Sequence, residues 1–348
     1  MNPTVLTIII SSLGLGTILT FIGSHWLLVW MGLEINTLAI IPMMMHRHHP
    51  RAVEATTKYF ITQATASTLL LFASVTNAWN SGEWSLIEMT SPTSTTMITI
   101  ALSLKIGLAP LHFWLPEVLQ GLDLTTGLVL STWQKLAPFA ILIQLYPLLN
   151  PSLLMFLGAL STIIGGWGGL NQTQLRKILA YSSIANLGWM IMILHYAPNL
   201  TLLNLILYII MTLTTFLLFK SLNSTKINSI SLSSIKSPLL STITLMTLLS
   251  LGGLPPLSGF VPKWLILQEL TKQDLLIPAT IMALMALLSL FFYLRLCYAI
   301  SLTMNPNPIF MSSSWRTKPN MLTTTLLLPA TLSILLLPIT PLIYILVL

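Results

Sequence analysis

Charge is the scarcest feature of this sequence. Only 7% of its 348 residues are Asp, Glu, Lys or Arg, 8 of them acidic and 15 basic. Soluble domains carry about 25%. With 55% hydrophobic residues, such a chain cannot cover a globular surface with polar groups, so its solvent is largely lipid. Cysteine is nearly absent as well. The single Cys297 excludes an internal disulfide, a Cys-held cluster and a cysteine zinc site. There is no GxGxxG after a strand, no Walker loop, no CxxC and no supported Ser-His-Asp set, so redox and hydrolytic chemistry have no residues to work with. Gly165-Gly166-Trp167-Gly168-Gly169 opens no strand–helix unit and reads as a close helix contact or the end of a span. The net charge of +7 comes from so few side chains that it reads as loop topology rather than a nucleic-acid surface. No cleavable leader is expected, because Met1-Asn2-Pro3 runs straight into an apolar stretch with no basic segment before it. That pattern suits synthesis inside an organelle.

Long apolar runs dominate what is there. About 20 apolar residues make one crossing. The polar punctuation then divides the chain into eleven candidate spans, at 3–23, 26–45, 55–78, 95–120, 125–147, 151–171, 175–196, 200–221, 238–271, 275–303 and 322–346. The fourth and ninth are too long to be straight. At about 1.5 Å per residue the ninth measures roughly 50 Å against a hydrocarbon core of about 30 Å, so a break is expected in each. Loops after even-numbered spans hold or border Arg47, Arg51, Lys58, Arg176, Lys177, Lys220, Lys226, Lys236, Arg316 and Lys318, ten of the 15 basic residues. Loops after odd-numbered spans hold Lys272 beside Glu83, Glu88 and Asp274. The excess of Lys and Arg puts the even loops, and with them the N-terminus, on the inner side. Eleven spans then leave the C-terminus outside.

The stretch Leu102–Gln120, LSLKIGLAPLHFWLPEVLQ, concentrates the unusual features: Lys105, Gly107, Pro110, His112, Pro116 and Glu117. Two prolines in an apolar span should break it. Gly107-Leu108-x-Pro110-Leu111-x4-Pro116 also aligns without gaps with Gly253-Leu254-x-Pro256-Leu257-x4-Pro262, in the other overlong span. The two spans are five apart, an odd number that inverts one copy relative to the other. Paired broken helices in inverted repeats point to a transport site near midplane. The expected architecture is an all-α polytopic membrane protein of about eleven helices, two of them discontinuous. Residues 1–148 and 149–305 form an inverted five-helix repeat, and 306–348 a C-terminal loop and last helix.

Four ionisable residues, Glu34, Lys105, Lys135 and Lys263, sit about ten residues from any span end, which is about 15 Å deep. Burying each costs at least ~2.5–3.5 kcal/mol, and snorkelling is ineffective from a helix centre. Burial disfavours the charged form of a lysine, so such a group can gain and lose its proton as a neighbouring charge approaches or leaves. A water-linked series of them makes a proton relay. Which lysine Glu34 touches is left open. His112, at the break, either bridges Lys105 to bulk water or bonds backbone groups freed by the prolines. Glu117 and Asp123 read as solvated interfacial acids. Glu269 and Arg295 read as solvated or as a pair. His46, His48 and His49 with Arg47 and Arg51 read as a solvated loop, a metal site being the weaker alternative. Trp26, Trp79, Trp84, Trp114 and Trp315 fit an interfacial belt, and Trp30, Trp133 and Trp264 read as packing.

Several stretches together resemble chain 2 of the NADH–ubiquinone oxidoreductases of animal mitochondria, over the whole length of the sequence. They are Gly32-Leu33-Glu34-Ile35-Asn36 with Ile40-Ile41-Pro42, Lys105 to Val118, Thr132 to Pro138, Arg176 to Ile184, and Gly252 to Phe260 with Lys263-Trp264. The resemblance implies an antiporter-like subunit of respiratory complex I in the mitochondrial inner membrane, with the N-terminus in the matrix and the C-terminus towards the intermembrane space. It implies that Glu34, Lys105, Lys135 and Lys263 form the polar axis of a proton channel. The wider antiporter-like family has fourteen spans, and this chain lacks room for the first three. Quinone reduction is expected in other subunits, so NADH, FMN, iron–sulfur clusters and ubiquinone belong to the wider complex and none to this chain. The partners implied are the antiporter-like chain 4, the small chain 4L, accessory subunits and lipid. An independent cation/proton antiporter and a purely structural membrane subunit are the alternatives.

Overall fold

The computed structural model describes residues 3–46, 48–302 and 322–347, without the side chains of 232–236, 322–324, 346 and 347. Arg47, Arg316, Lys318 and the Lys236 side chain, which the topology argument uses, and Trp315 of the expected belt therefore lie outside the described residues. The described residues are helical, with two isolated β-bridges, His25–Ser85 and Gln174–Lys226, tying loops together. The chain divides into two compact units, residues 1–160 and 161–348.

In the first unit α1 (Pro3–Ile22) packs along α2 (Trp26–Met44). A Cβ on Gly16 would lie 2.9 Å from the Gly32 carbonyl, and one on Gly32 equally close to the Gly16 carbonyl. Small residues at the crossing let the two backbones approach, as helices in lipid require. The ring Nδ1 of His25 caps α2 by accepting from Leu27 N–H at 3.2 Å. His49 does the same for α3 (Pro50–Ser81), whose first residue is the proline that the N1 position favours. Helix α3 has 32 residues, about 48 Å, and outruns both the expected 55–78 span and the hydrocarbon core. It stops at Gly82, whose φ of 77° provides the left-handed cap. Then follow α4 (Pro92–Ile106), α5 (Trp114–Gly121) and α6 (Leu124–Leu145), and α7 (Pro151–Gly168) runs across the division between units.

The second unit holds α8 (Leu175–Ile193), α9 (Pro198–Ser221), α10 (Ile227–Lys236), α11 (Pro238–Gly252), α12 (Phe260–Lys272), α13 (Leu276–Ser301), α14 (Leu322–Leu335) and α15 (Thr340–Val347). The glycine run 165–169, within the second unit, does what the sequence suggests. It ends α7, and Gly165 lies against the Ala185 backbone, Gly168 against the Tyr181 ring and Gly169 against the Phe292 ring. Two features depart from the expected spans. Residues 227–236, expected as loop, form α10. The last expected span is bent by 68° between α14 and α15 at Leu337–Ile339, where Pro338 cannot donate to the helix ladder.

Seven helices among the described residues are individually long and apolar enough to cross a membrane, and the bent pair makes up to eight. Their apolarity runs all round. Ile40, Ala66 and Leu218 are fully buried while Ile8, Ile22, Leu284 and Leu287 are well exposed, the pattern of helices whose outer face meets lipid. Interior hydroxyls turn back on their own helix. Thr99 donates to Thr96 O, Ser103 to Ile100 O and Thr215 to Thr212 O, so a polar side chain is carried inside without an unpaired donor.

Candidate functional site

Helix α4 ends at Ile106 because Gly107 takes a left-handed conformation, φ 85° and ψ 44°, and the chain turns before resuming at Trp114. A helix end inside an apolar region leaves carbonyls that must find donors. Gly107 and Leu108 N–H both reach Ser103 O at 2.9 Å, Trp114 Nε1 donates to Leu104 O at 3.1 Å, and Gln63 Nε2 to Lys105 O at 3.4 Å. Trp114 is therefore a buried stitch across the break, not part of an interfacial belt. Leu115 fills the inside of the turn, 2.9 Å from where a Gly107 Cβ would stand.

Lys105 occupies the last turn of α4, where the partial negative charge of the helix end favours a cation. It is 5% exposed and its Nζ has no hydrogen-bond partner among the described residues. Lys135, on α6, is equally buried. Both line one enclosed cavity of about 20 Å³ whose other polar walls are Asn36 and Thr37 of α2, Tyr59 and Gln63 of α3, and Gln134 of α6. A cavity of ~10–15 Å³ is enough for one water. The break thus brings two of the four expected relay residues onto a common, hydratable space. Glu34 is half-buried, and its carboxylate accepts from the Thr37 hydroxyl at 3.0 Å. Its charge acts on Lys105 and on the Tyr59 hydroxyl, and among the described residues no ion pair joins it to a lysine. His112 is buried, tilted against Phe113 at 4.4 Å, and hydrogen-bonds to the Pro110 backbone.

The second unit repeats the local geometry. Helix α11 ends at Gly253, φ 80° and ψ 43°, with its N–H on Leu249 O and Ser250 O. Lys263, half-buried on α12, folds back so that Nζ donates to Gly252 O at 2.9 Å. A charge-assisted hydrogen bond contributes about 1.5–3 kcal/mol, comparable with the ~2.5–3.5 kcal/mol cost of a buried cation. Lys263 is thus substantially compensated by its own break. Lys105, without such a bond, relies on Glu34, the α4 dipole and the cavity.

Other expected pairings resolve differently. Glu269 binds Lys272 at 3.0 Å, and Arg295 donates to Leu170 O at 2.6 Å, so these two do not pair with each other. Glu117 is not a lone solvated acid. Lys58 bridges it to Glu54, both at 2.7 Å, tying α5 to α3. Trp26 is buried, the reverse of the belt role expected for it, Trp133 is 42% exposed, and Trp264, 55% exposed, stacks on the Phe260 ring. Trp30 Nε1 donates to Ser67 O at 3.2 Å, a packing role as expected. Sequence reading passed over Asn36, Gln63 and Gln134. Amides in the middle of apolar spans, beside Glu34, on the helix facing Lys105 and next to Lys135, were the available signal.

Comparison with known proteins places the chain. Residues 23–290 match the family described as NADH:quinone oxidoreductase/Mrp antiporter, and residues 290–344 the NADH dehydrogenase subunit 2 C-terminus. The NADH-ubiquinone oxidoreductase chain 2 of Scyliorhinus canicula is 81% identical over 99% of both chains, and that of Squalus acanthias 79% identical over 100% of both. A chain of respiratory complex I from Thermus thermophilus, solved with bound aureothin, superposes with a TM-score of 0.84 at 26% identity, covering 98% of this chain and 80% of that one. The chain belongs to the NADH-ubiquinone oxidoreductase chain 2 family.

Proposed function

We propose that this chain is a membrane subunit of a proton-pumping NADH:ubiquinone oxidoreductase and contributes a proton path through Glu34, Lys105, Lys135 and Lys263. The placement of Lys105 and Lys135 on one water-sized cavity is the observation that carries this reading. The reaction class is H⁺ translocation, a translocase activity of the whole complex. NADH, FMN, iron–sulfur clusters and ubiquinone act in other subunits, and this chain binds none of them. His112, held to the backbone beside the break, is the candidate for passing protons between Lys105 and water.

The chain crosses the mitochondrial inner membrane eleven times, α4 with α5 and α11 with α12 each serving as one discontinuous crossing. Residues 1–148 and 149–305 are inverted repeats, and 306–348 the loop and last helix. The matching left-handed glycine caps at Gly107 and Gly253 support the repeat. The N-terminus faces the matrix and the C-terminus the intermembrane space. Its neighbours are chain 4, chain 4L and accessory subunits.

An independent cation/proton antiporter is the second reading, because the family matched over residues 23–290 spans both kinds of protein. Purification decides between them. The chain extracted in mild detergent should co-purify with NADH-oxidising subunits. Isolation of the chain alone, competent for cation/proton exchange in vesicles, would overturn the proposal.

A further inference from the structure

Asn36 is the most anomalous polar side chain in the first unit. It is 1% exposed, and neither its amide oxygen nor its amide nitrogen has a hydrogen-bond partner among the described residues. Leaving a buried polar group unsatisfied is expensive, and such a group in a folded protein calls for a bound water, ion or functional role. Its position is fixed from two sides. The Asn36 backbone carbonyl accepts from Gln134 Nε2 at 3.0 Å, which anchors α2 to the residue preceding Lys135. A Cβ on Gly16 of α1 would sit 3.3 Å from the Asn36 Cγ, so the Asn36 side chain packs closely against α1 at this point. The cavity it lines is shared with Lys105, whose Nζ is the other orphaned atom there, and with Lys135.

We infer that Asn36 is a positioning residue that holds one water between Lys105 and Lys135. The roughly 20 Å³ space admits one water, and a buried water needs two to four polar partners. Asn36 and Lys105 supply them, with Lys135 on the same wall. An amide both donates and accepts, so it can orient a water towards a charged lysine or a neutral one without itself titrating. The proton moves from the Lys105 ammonium to the water oxygen while a water hydrogen passes to the neutral Lys135 amine. The water is regenerated, Lys105 ends neutral, and Lys135 carries the charge.

This inference rests on the relay reading, and the test separates the two. In the assembled complex, Asn36→Leu fills the amide's volume without its hydrogen bonds. NADH-driven proton translocation should fall about tenfold, the effect of losing roughly one net hydrogen bond to a buried water, and the solvent deuterium isotope effect should change. Asn36→Ser, which keeps a hydroxyl and leaves space for a second water, should restore most of the rate. Lys135→Met is the companion variant. Loss of translocation in Lys135→Met with full activity in Asn36→Leu would overturn the role of Asn36 alone, whereas full activity in Lys135→Met would overturn the relay. Should Asn36→Leu fail to assemble, high-resolution density in the unmodified complex decides. A water within hydrogen-bond distance of both the Asn36 amide and Lys105 Nζ supports the inference, and its absence there overturns it.

Discussion

A buried ammonium in a lipid-facing protein is a question of what surrounds it. Lys263 and Lys105 illustrate two answers. The first reaches a free carbonyl at the end of the preceding helix. The second is enclosed with an unpartnered Nζ, a nearby carboxylate and a small cavity. Only the second arrangement leaves the charge poised, because its stabilisation comes from groups that can change state. Removing the Glu34 charge should therefore matter more than its half-burial suggests: Glu34→Gln should slow proton translocation severalfold with assembly intact, as read by acidification coupled to NADH oxidation. Translocation at the unmodified rate would contradict that. The Lys58–Glu54–Glu117 cluster is the counterexample. Its members are exposed, and exposed ion pairs contribute little to stability. Glu54→Gln should leave the thermal unfolding of the complex nearly unchanged, and a large loss would show that the cluster is shielded in the assembly.

The breaks in α4–α5 and α11–α12 were legible in the sequence because two independent signals met there, a span too long for the bilayer and closely spaced glycine and proline. Glycine substitutions should reproduce that logic. A Cβ on Gly259 would fall on the Ser250 carbonyl, and one on Gly107 would meet Leu115 in a left-handed backbone conformation, whereas one on Gly14 meets nothing within 4 Å. Gly259→Ala should abolish accumulation of the assembled complex, Gly107→Ala should destabilise it by about 1–2 kcal/mol or more, and Gly14→Ala should be neutral. Native gels and thermal melts check the order, and equal effects at the three sites would contradict it. Helix α10 was not legible. Residues 227–236, INSISLSSIK, are serine-rich and weak in helix propensity. They fold because Ser229 Oγ caps the Thr225 and Lys226 N–H groups, Ile230 is buried, and α10 packs on α11 and α13. Tertiary packing of that kind leaves no local trace. For the same reason the sequence marked Glu34, Lys105 and Lys135 as a set, while only coordinates place Asn36 and Gln134 on the cavity that Lys105 and Lys135 line.

At the scale of the whole molecule, the sparse charge is what the proposed orientation rests on. Basic residues gather after even-numbered spans and the acids of 83–88 and 274 after odd ones. Exposed Lys226 should react with a membrane-impermeant amine reagent from the matrix side, and Lys272 from the opposite side. Labelling of both from one side would break the eleven-span topology. The central claim is narrower: the buried lysines carry protons rather than merely complete a scaffold. It is tested most directly by the initial rate of NADH-driven proton translocation in proteoliposomes holding an assembled complex with Lys105→Met. Methionine keeps the length and apolar contacts of the lysine stem and removes the proton site. The rate should fall about tenfold or more, the scale on which a positioned proton-transfer group acts, with subunit content unchanged. Translocation at the unmodified rate in an intact complex would show that this chain serves structure alone.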